Sequence, residues 1–320
     1  MINVILFILI GTFLAINMGA SGFSISFTPS CGSNLLKKNQ AVILYTIFLL
    51  MGAVLIGPRV VETLIQKISQ QKISESSGLI ILISTIITMF AANMLKIPQS
   101  TSFVTVSAFA GAGLFYHQLN WFTILKVFSF AVLFSVLAFG LAYLIASRFY
   151  PPRNDNLRLY EKTFNHRNKL RKFIVWTNCY SAFAVGTNNV ANVVSPLLTS
   201  LTINPIMALA VTAPFFGLGG HVLGKGVLNT ISKEIVPIGE TSAGIISLVT
   251  SSFVIIASLL GLPTPYVQFT TFSVLAISSL KDGFKVTFKK FIVRKIIFVW
   301  IIVPLITCGL SYFMHVLFLR

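Results

Sequence analysis

Gly186-Thr187-Asn188-Asn189-Val190-Ala191-Asn192-Val193 is a polar, glycine-led run inside a strongly apolar sequence. It matches an earlier run, Gly19-Ala20-Ser21-Gly22-Phe23-Ser24-Ile25-Ser26, at an offset of 167 positions. The same offset relates Gly57-Pro58-Arg59-Val60-Val61-Glu62-Thr63 to Gly224-Lys225-Gly226-Val227-Leu228-Asn229-Thr230, and an offset two shorter relates Lys96-Ile97-Pro98 to Gly261-Leu262-Pro263. Landmarks repeated in order describe a chain built from two copies of one unit. Interrupted hydrophobic segments at matching places in two halves are the sequence mark of a secondary transporter, whose site lies near the bilayer midplane where the interruptions meet.

Composition identifies the solvent. Hydrophobic residues make up 55% of the chain and charged residues 10%, and the mean hydropathy is +0.88. These values are far from those of water-soluble domains. Apolar stretches run near 2–16, 41–56, 78–95, 121–147, 173–185, 205–223, 241–260 and 296–319; several reach the roughly 20 residues that span a bilayer. The short ones at 2–16 and 173–185 run straight into the two glycine-led motifs, which predicts broken or re-entrant helices there. The expected fold is an all-α polytopic membrane transporter of two inverted repeats with about 10–12 membrane segments. Its first repeat covers 1–147, a basic cytoplasmic linker 148–172, and its second repeat 173–320.

The net charge of +17 would suggest nucleic acid in a soluble protein, but its distribution argues for a membrane. Of 24 Lys and Arg, eight fall within Arg148–Lys172 and six within Lys281–Lys295, both between apolar stretches. Such loops belong on the cytoplasmic face of a cell membrane. Neither carries the interleaved aromatics of a nucleic-acid reader. The three cysteines, Cys31, Cys179 and Cys308, are odd in number and lie in or beside apolar segments, so they read as packed thiols.

The chemistry is sought in the interruptions. A helix that starts inside the membrane presents unpaired N–H groups and the positive end of its dipole, which together favour an anion. Ser21, Ser24 and Thr28 share one helical face, as do Asn188, Asn192 and Ser195. Small polar residues at this spacing also serve helix packing in lipid, and duplication at one offset is what favours a binding role. A second polar source is Pro98-Gln99-Ser100-Thr101-Ser102, with Thr105 one turn on. Its counterpart is Pro263-Thr264-Pro265-Tyr266-Val267-Gln268, with Thr270 and Thr271. Proline suits a helix start, and the hydroxyls after it can cap the helix or hold a ligand. Glu62 is the carboxylate considered for ion coupling, and Arg59 stands at i−3, where a helix would pair the two. No His-x-x-x-His or Ser/His/Asp arrangement points to an enzyme.

As a set, these residues resemble the inorganic phosphate transporter (PiT) family, whose paired signature typically reads Gly-Ala-Asn-Asp-Val-Ala-Asn. The second motif is similar at Gly186, Asn188, Val190, Ala191, Asn192 and Pro196. Residues 57–68 are similar to the family's Gly-Gly-Arg-Val-x-Glu-Thr segment, and Pro98–Ser102 to its Pro-x-Ser-Thr-Thr-His segment. The departures are Ser21-Gly22 and Asn189 where the family carries aspartate, and Pro265-Tyr266-Val267-Gln268 in place of the second Ser-Thr-Thr-His. These substitutions look like the sulfate permease branch of the family.

Physical chemistry agrees with that branch. Phosphate at pH 7 can donate a hydrogen bond to a carboxylate, whereas sulfate has no proton to give, so donors without carboxylates favour sulfate. The missing carboxylates also remove expected sodium ligands. Importing a dianion against an inside-negative potential costs roughly 4.6 kcal/mol per 100 mV, which requires cation entry, with protons as the default and Glu62 as their carrier. The reading is therefore a sulfate importer whose cage comprises Gly19, Ser21, Gly22, Ser24, Ser100, Thr101, Asn188, Asn189, Asn192 and Gln268. Thiosulfate and phosphate are the related oxyanions. No cofactor, metal ion or nucleic acid is called for; the partners are the anion, H+, the lipid bilayer and a second copy of the chain in a homodimer.

Overall fold

The computed structural model describes residues 2–32, 35–68, 73–94, 99–150, 156, 166–199, 203–223 and 239–319. The described residues form helices α1 (Ile2–Gly32), α2 (Lys38–Leu55), α3 (Gly57–Glu62), α4 (Glu75–Met94), α5 (Thr101–Phe115) and α6 (Trp121–Ser147). These are followed by α7 (Arg167–Leu197), α8 (Pro205–Leu223), α9 (Glu240–Leu259), α10 (Tyr266–Asp282), α11 (Phe284–Lys289) and α12 (Phe291–Leu319). One π-helical turn, Thr63–Lys67, extends α3. Helices dominate because backbone groups in lipid must find partners within their own segment. Seven of them, α1, α2, α4, α6, α8, α9 and α12, are long and apolar enough to cross a membrane.

The outside is apolar, and the interior mixes an apolar core with an unusual number of polar side chains. Phe122, Leu125, Phe291, Leu305 and Phe313 are each more than 60% exposed, while Asn178, Asn188, Asn192, Ser181 and Thr187 are fully buried. Burial in such an interior is not driven by water exclusion, so helix contact depends on close backbone approach and interhelical hydrogen bonds.

The order of helices in the second half repeats that in the first, and partners are exchanged between the halves. α1 packs on α8 and α2 on α7; α5 packs on α12 and α10 on α6. The two glycine-led motifs lie inside the unbroken helices α1 and α7. This corrects the expectation that a half-helix starts at Gly19 and at Gly186. A Cβ on Gly19 would lie 2.2 Å from the Phe216 carbonyl oxygen of α8, and one on Gly186 would lie 2.0 Å from the Leu49 carbonyl oxygen of α2. In the same crossings Gly219 meets the Ile16 carbonyl oxygen at 1.9 Å and Gly52 that of Phe183 at 2.1 Å. Both crossings are related by the 167-residue offset, partner for partner. The duplicated glycines are thus the places where two helix backbones touch, and they need no hinge to explain them. The interruptions fall elsewhere, before α5 and between α9 and α10.

Other expectations also change. Glu62 pairs with Lys67 at 3.0 Å, both side chains about half exposed, because the wider π turn brings a residue five positions on over the carboxylate. Arg59 turns away and donates from Nη1 to the Leu259 carbonyl oxygen at 2.8 Å. Most of the 148–172 linker, the Gly224–Thr230 landmark and Lys96-Ile97-Pro98 lie outside the described residues.

Gly19→Ala should therefore destabilise the folded protein by about 1–3 kcal/mol or more through overpacking at the crossing. Gly140→Ala, where an added Cβ meets nothing within 4 Å, should leave the melting temperature in detergent unchanged or slightly raised.

Candidate substrate site

Two helices begin in the protein interior. Proline at 263 and 265 cannot continue α9, and the chain resumes as α10 at Tyr266. In the first half α5 begins at Thr101, with Ser100 as N-cap accepting from the Phe103 N–H at 3.4 Å. Every residue from Thr101 to Gly113 is buried. Fifteen residues span about 22 Å, short of a crossing. The N-termini of α5 and α10, with their dipoles, thus lie inside the molecule.

α7 joins both starts through one side chain. The Asn188 Nδ2 amide donates to Ser102 Oγ at 2.8 Å and to the Thr264 carbonyl oxygen at 2.7 Å, while its Oδ1 accepts from the Thr264 N–H at 3.2 Å. It also reaches Asn189 Oδ1 at 3.2 Å. One turn on, Asn192 Nδ2 donates to Ser102 Oγ at 2.9 Å. The i, i+4 spacing on a continuous helix is what aims both amides at one hydroxyl.

Around this network several buried atoms have no partner: Gln99 Nε2 and Oε1, Thr105 Oγ1, Thr264 Oγ1 and Asn192 Oδ1. Each belongs to a residue of the network or sits within one helical turn of Ser102. An unsatisfied buried polar group costs about 1–3 kcal/mol, so the grouping of five such atoms around the two helix starts marks this region as the candidate substrate site. Among the described residues the buried polar side chains are Ser, Thr, Asn and Gln together with His315, and buried Tyr45 and Tyr266 add two phenol hydroxyls. No group of His, Cys, Asp or Glu that could hold a metal ion occurs among the described residues. The cluster offers the unpartnered donors Gln99 Nε2, Thr105 Oγ1 and Thr264 Oγ1 beside the acceptor oxygens of Gln99 and Asn192, with two helix dipoles and, among the described residues, no carboxylate.

Of the residues expected from the sequence, Ser100, Thr101, Asn188, Asn189, Asn192 and Gln268 are buried at the two breaks. Gly19 is spent on the α8 crossing. Ser21 donates to the Met18 carbonyl oxygen at 3.0 Å and Ser24 to that of Ala20 at 2.9 Å, both within α1. Gly22 lies beneath Tyr45, whose hydroxyl oxygen is 2.5 Å from where a Cβ would stand. The residues that the expected set leaves out are Ser102, Thr264, Gln99 and Thr105. A second polar seam, also unanticipated, links α1 to α7 and α10: Ser181 donates to Ser26 at 3.1 Å and pairs with the Tyr266 hydroxyl, and Asn178 bonds Ser30.

A multi-pass helical protein with a buried polar cluster between two interior helix starts has the build of a membrane transporter. The Phosphate transporter family profile matches residues 18–152 and 153–311, one match per half. Sulfate permease CysP of Bacillus subtilis (strain 168) is 33% identical over 98% of this chain and 87% of its own length. A putative phosphate permease of Helicobacter pylori is 22% identical over 85% of this chain and 68% of its own. The solved structure of the sodium-dependent phosphate transporter has the same fold, with a TM-score of 0.82, 19% identity and 99% coverage of both chains. The chain belongs to the phosphate transporter family; it is a permease and not an enzyme.

Replacing Asn188 by Ala removes the partner of both Thr264 backbone groups and one donor to Ser102. The expected outcome is at least a tenfold rise in KM for transported anion, measured as initial uptake into proteoliposomes, with Ser102→Ala producing a smaller rise of the same kind.

Proposed function

We propose that this protein imports inorganic sulfate across the plasma membrane of a prokaryotic cell. The observation that carries this reading is the cage at the α5 and α10 starts, where the unpartnered donors of Gln99, Thr105 and Thr264 border the Asn188–Ser102–Asn192 network with no carboxylate among the described residues. Sulfate at neutral pH accepts hydrogen bonds and donates none, so an acidic side chain beside it would be an uncompensated like charge. At about 4 Å and an effective dielectric constant near 20, two unit charges interact by about 4 kcal/mol, enough to decide which oxyanion stays. The 33% identity to a protein named as a sulfate permease supports the same choice.

Phosphate is the second reading, favoured by the family profile and by the solved structure named for sodium-dependent phosphate transport. Discrimination between the two rests on Gly22 and Asn189, which stand where an acidic residue would accept the phosphate proton. Of the two, Asn189 borders the cage directly through its bond from Asn188. Accumulation of a dianion needs at least two compensating cations, and protons are proposed. Glu62 is half exposed and ion-paired with Lys67, so the coupled protons are not assigned to it. A homodimer is part of the same proposal.

Uptake of labelled sulfate into proteoliposomes, with and without an inward proton gradient, tests the whole reading. Sulfate uptake that rises with the gradient and is unaffected by excess phosphate is expected; phosphate uptake in its place would overturn the sulfate assignment. Glu62→Gln is expected to leave the pH dependence of uptake unaltered, since that side chain is half exposed and paired with Lys67. Asn189→Asp is expected to lower sulfate uptake at pH 7 by tenfold or more, a change of at least about 1.4 kcal/mol, and to admit phosphate in competition.

A further inference from the structure

The segment Gly57–Lys67 belongs to neither half of the cage, yet it touches the backbone that carries Thr264. α9 ends in a Schellman arrangement: the Gly261 N–H donates to the Ser258 carbonyl at 2.9 Å and the Leu262 N–H to that of Ala257 at 2.9 Å. Gly261 sits at φ +72°, the left-handed conformation that this motif requires. These two bonds satisfy the carbonyls of Ala257 and Ser258 and leave that of Leu259 to find a partner. Arg59 supplies it from α3, with Nη1 at 2.8 Å. Its cation also stands at the negative end of the α9 dipole.

The contact continues past the guanidinium. A Cβ on Gly261 would lie 3.0 Å from the Arg59 carbonyl oxygen and 3.1 Å from Thr63 Oγ1, and that hydroxyl in turn donates to the Arg59 carbonyl at 3.3 Å. The break is therefore gripped from two sides. α3 and its π turn hold residues 259–261, while α7 holds the other side through Thr187 on Ser258 at 3.0 Å and Asn188 on both backbone groups of Thr264. Four residues, Leu260 to Pro263, stand between the Leu259 carbonyl held by Arg59 and the Thr264 backbone held by Asn188, and two of them are fixed by the Schellman bonds, so the position of one end limits the other.

We infer that Arg59 is a positioning residue for the transported anion, acting by capping α9 and thereby fixing where the break presents Thr264 and the start of α10. The role deepens the sulfate reading and rests on it for the identity of the anion, but not for the mechanical claim. It also gives the Arg-Val-x-Glu-Thr segment a purpose in which Arg59 and Thr63 act and Glu62 does not.

The test uses the full-length protein in proteoliposomes and two variants, Arg59→Gln and Arg59→Lys. Amide hydrogen exchange is followed at Gly261, Leu262 and Thr264, whose N–H groups are all bonded in the wild type. Uptake kinetics are measured with labelled sulfate and separately with labelled phosphate. In Arg59→Gln, exchange at these three amides should quicken by tenfold or more, and KM should rise by a similar factor while the maximal rate stays within about threefold of wild type. Arg59→Lys, which keeps the cation at the α9 terminus, should recover most of both. Unchanged exchange and unchanged KM in Arg59→Gln would overturn the proposal, as would a fall confined to the maximal rate. A variant that does not fold is replaced by Gly261→Ala, which strains the same break from the opposite side and should give the same pairing of exchange and KM. If the wild type carries phosphate and not sulfate, the kinetic arm is read with phosphate, so the substrate assignment fails alone.

Discussion

A backbone break inside a membrane protein is viable only if its freed N–H and C=O groups find partners, because lipid supplies none. Asn188 meets that constraint at Thr264 with a single side chain, whose amide donates to the carbonyl and accepts from the N–H of the same residue. This amide mimics the backbone that the interruption removes. With the break closed in this way, α10 can start in the interior and its dipole can face the cage. The same amide also reaches Ser102 at the start of α5, so one residue of α7 sets the separation of the two helix termini between which an anion would lie.

The halves share their skeleton and differ in their chemistry. The glycine crossings of α1 on α8 and α7 on α2 correspond partner for partner, with backbone atoms as the neighbours. At the amide positions the symmetry ends. Asn188 and Asn189 of α7 have Ser21 and Gly22 as their counterparts in α1. Ser21 is occupied within its own helix and Gly22 is covered by Tyr45, whose hydroxyl donates to the Gly19 carbonyl oxygen at 3.2 Å. The first half thus supplies donors through α5 and scaffold through α1, while α7 alone bridges the two breaks. The polar cluster is therefore asymmetric even though the fold that holds it is duplicated.

Much of the site is legible in the order of residues along the chain. Asn188 and Asn192 stand one helical turn apart, and both point to the same hydroxyl. The proline-led segments at 98 and 263 read as helix starts, and the described helices do begin at Thr101 and Tyr266. The choice among neighbouring hydroxyls is not legible there: Ser102 meets α7 ahead of Ser100 or Thr101 because of the rotation of α5 about its axis, which depends on where α7 crosses it. The glycines mislead for a related reason. A glycine that frees the backbone and a glycine that admits another backbone look alike in one dimension, and the partner of Gly19 is Phe216, nearly two hundred residues away.

By itself, the sequence determined the solvent, the all-helical class, the duplicated order of landmarks and the neutral, carboxylate-poor character of the polar motifs. These depend on composition and on spacing along one chain. Only the tertiary structure decided that the motifs run through unbroken helices, that the interior starts are those of α5 and α10, and that Glu62 faces Lys67 while Arg59 caps α9. Each of those outcomes is a contact between residues distant in sequence, or, for Glu62 and Lys67, a consequence of one π turn. In lipid, where apolar surface gives helices no strong preference for one another, it is such close approaches and interhelical hydrogen bonds that select the arrangement.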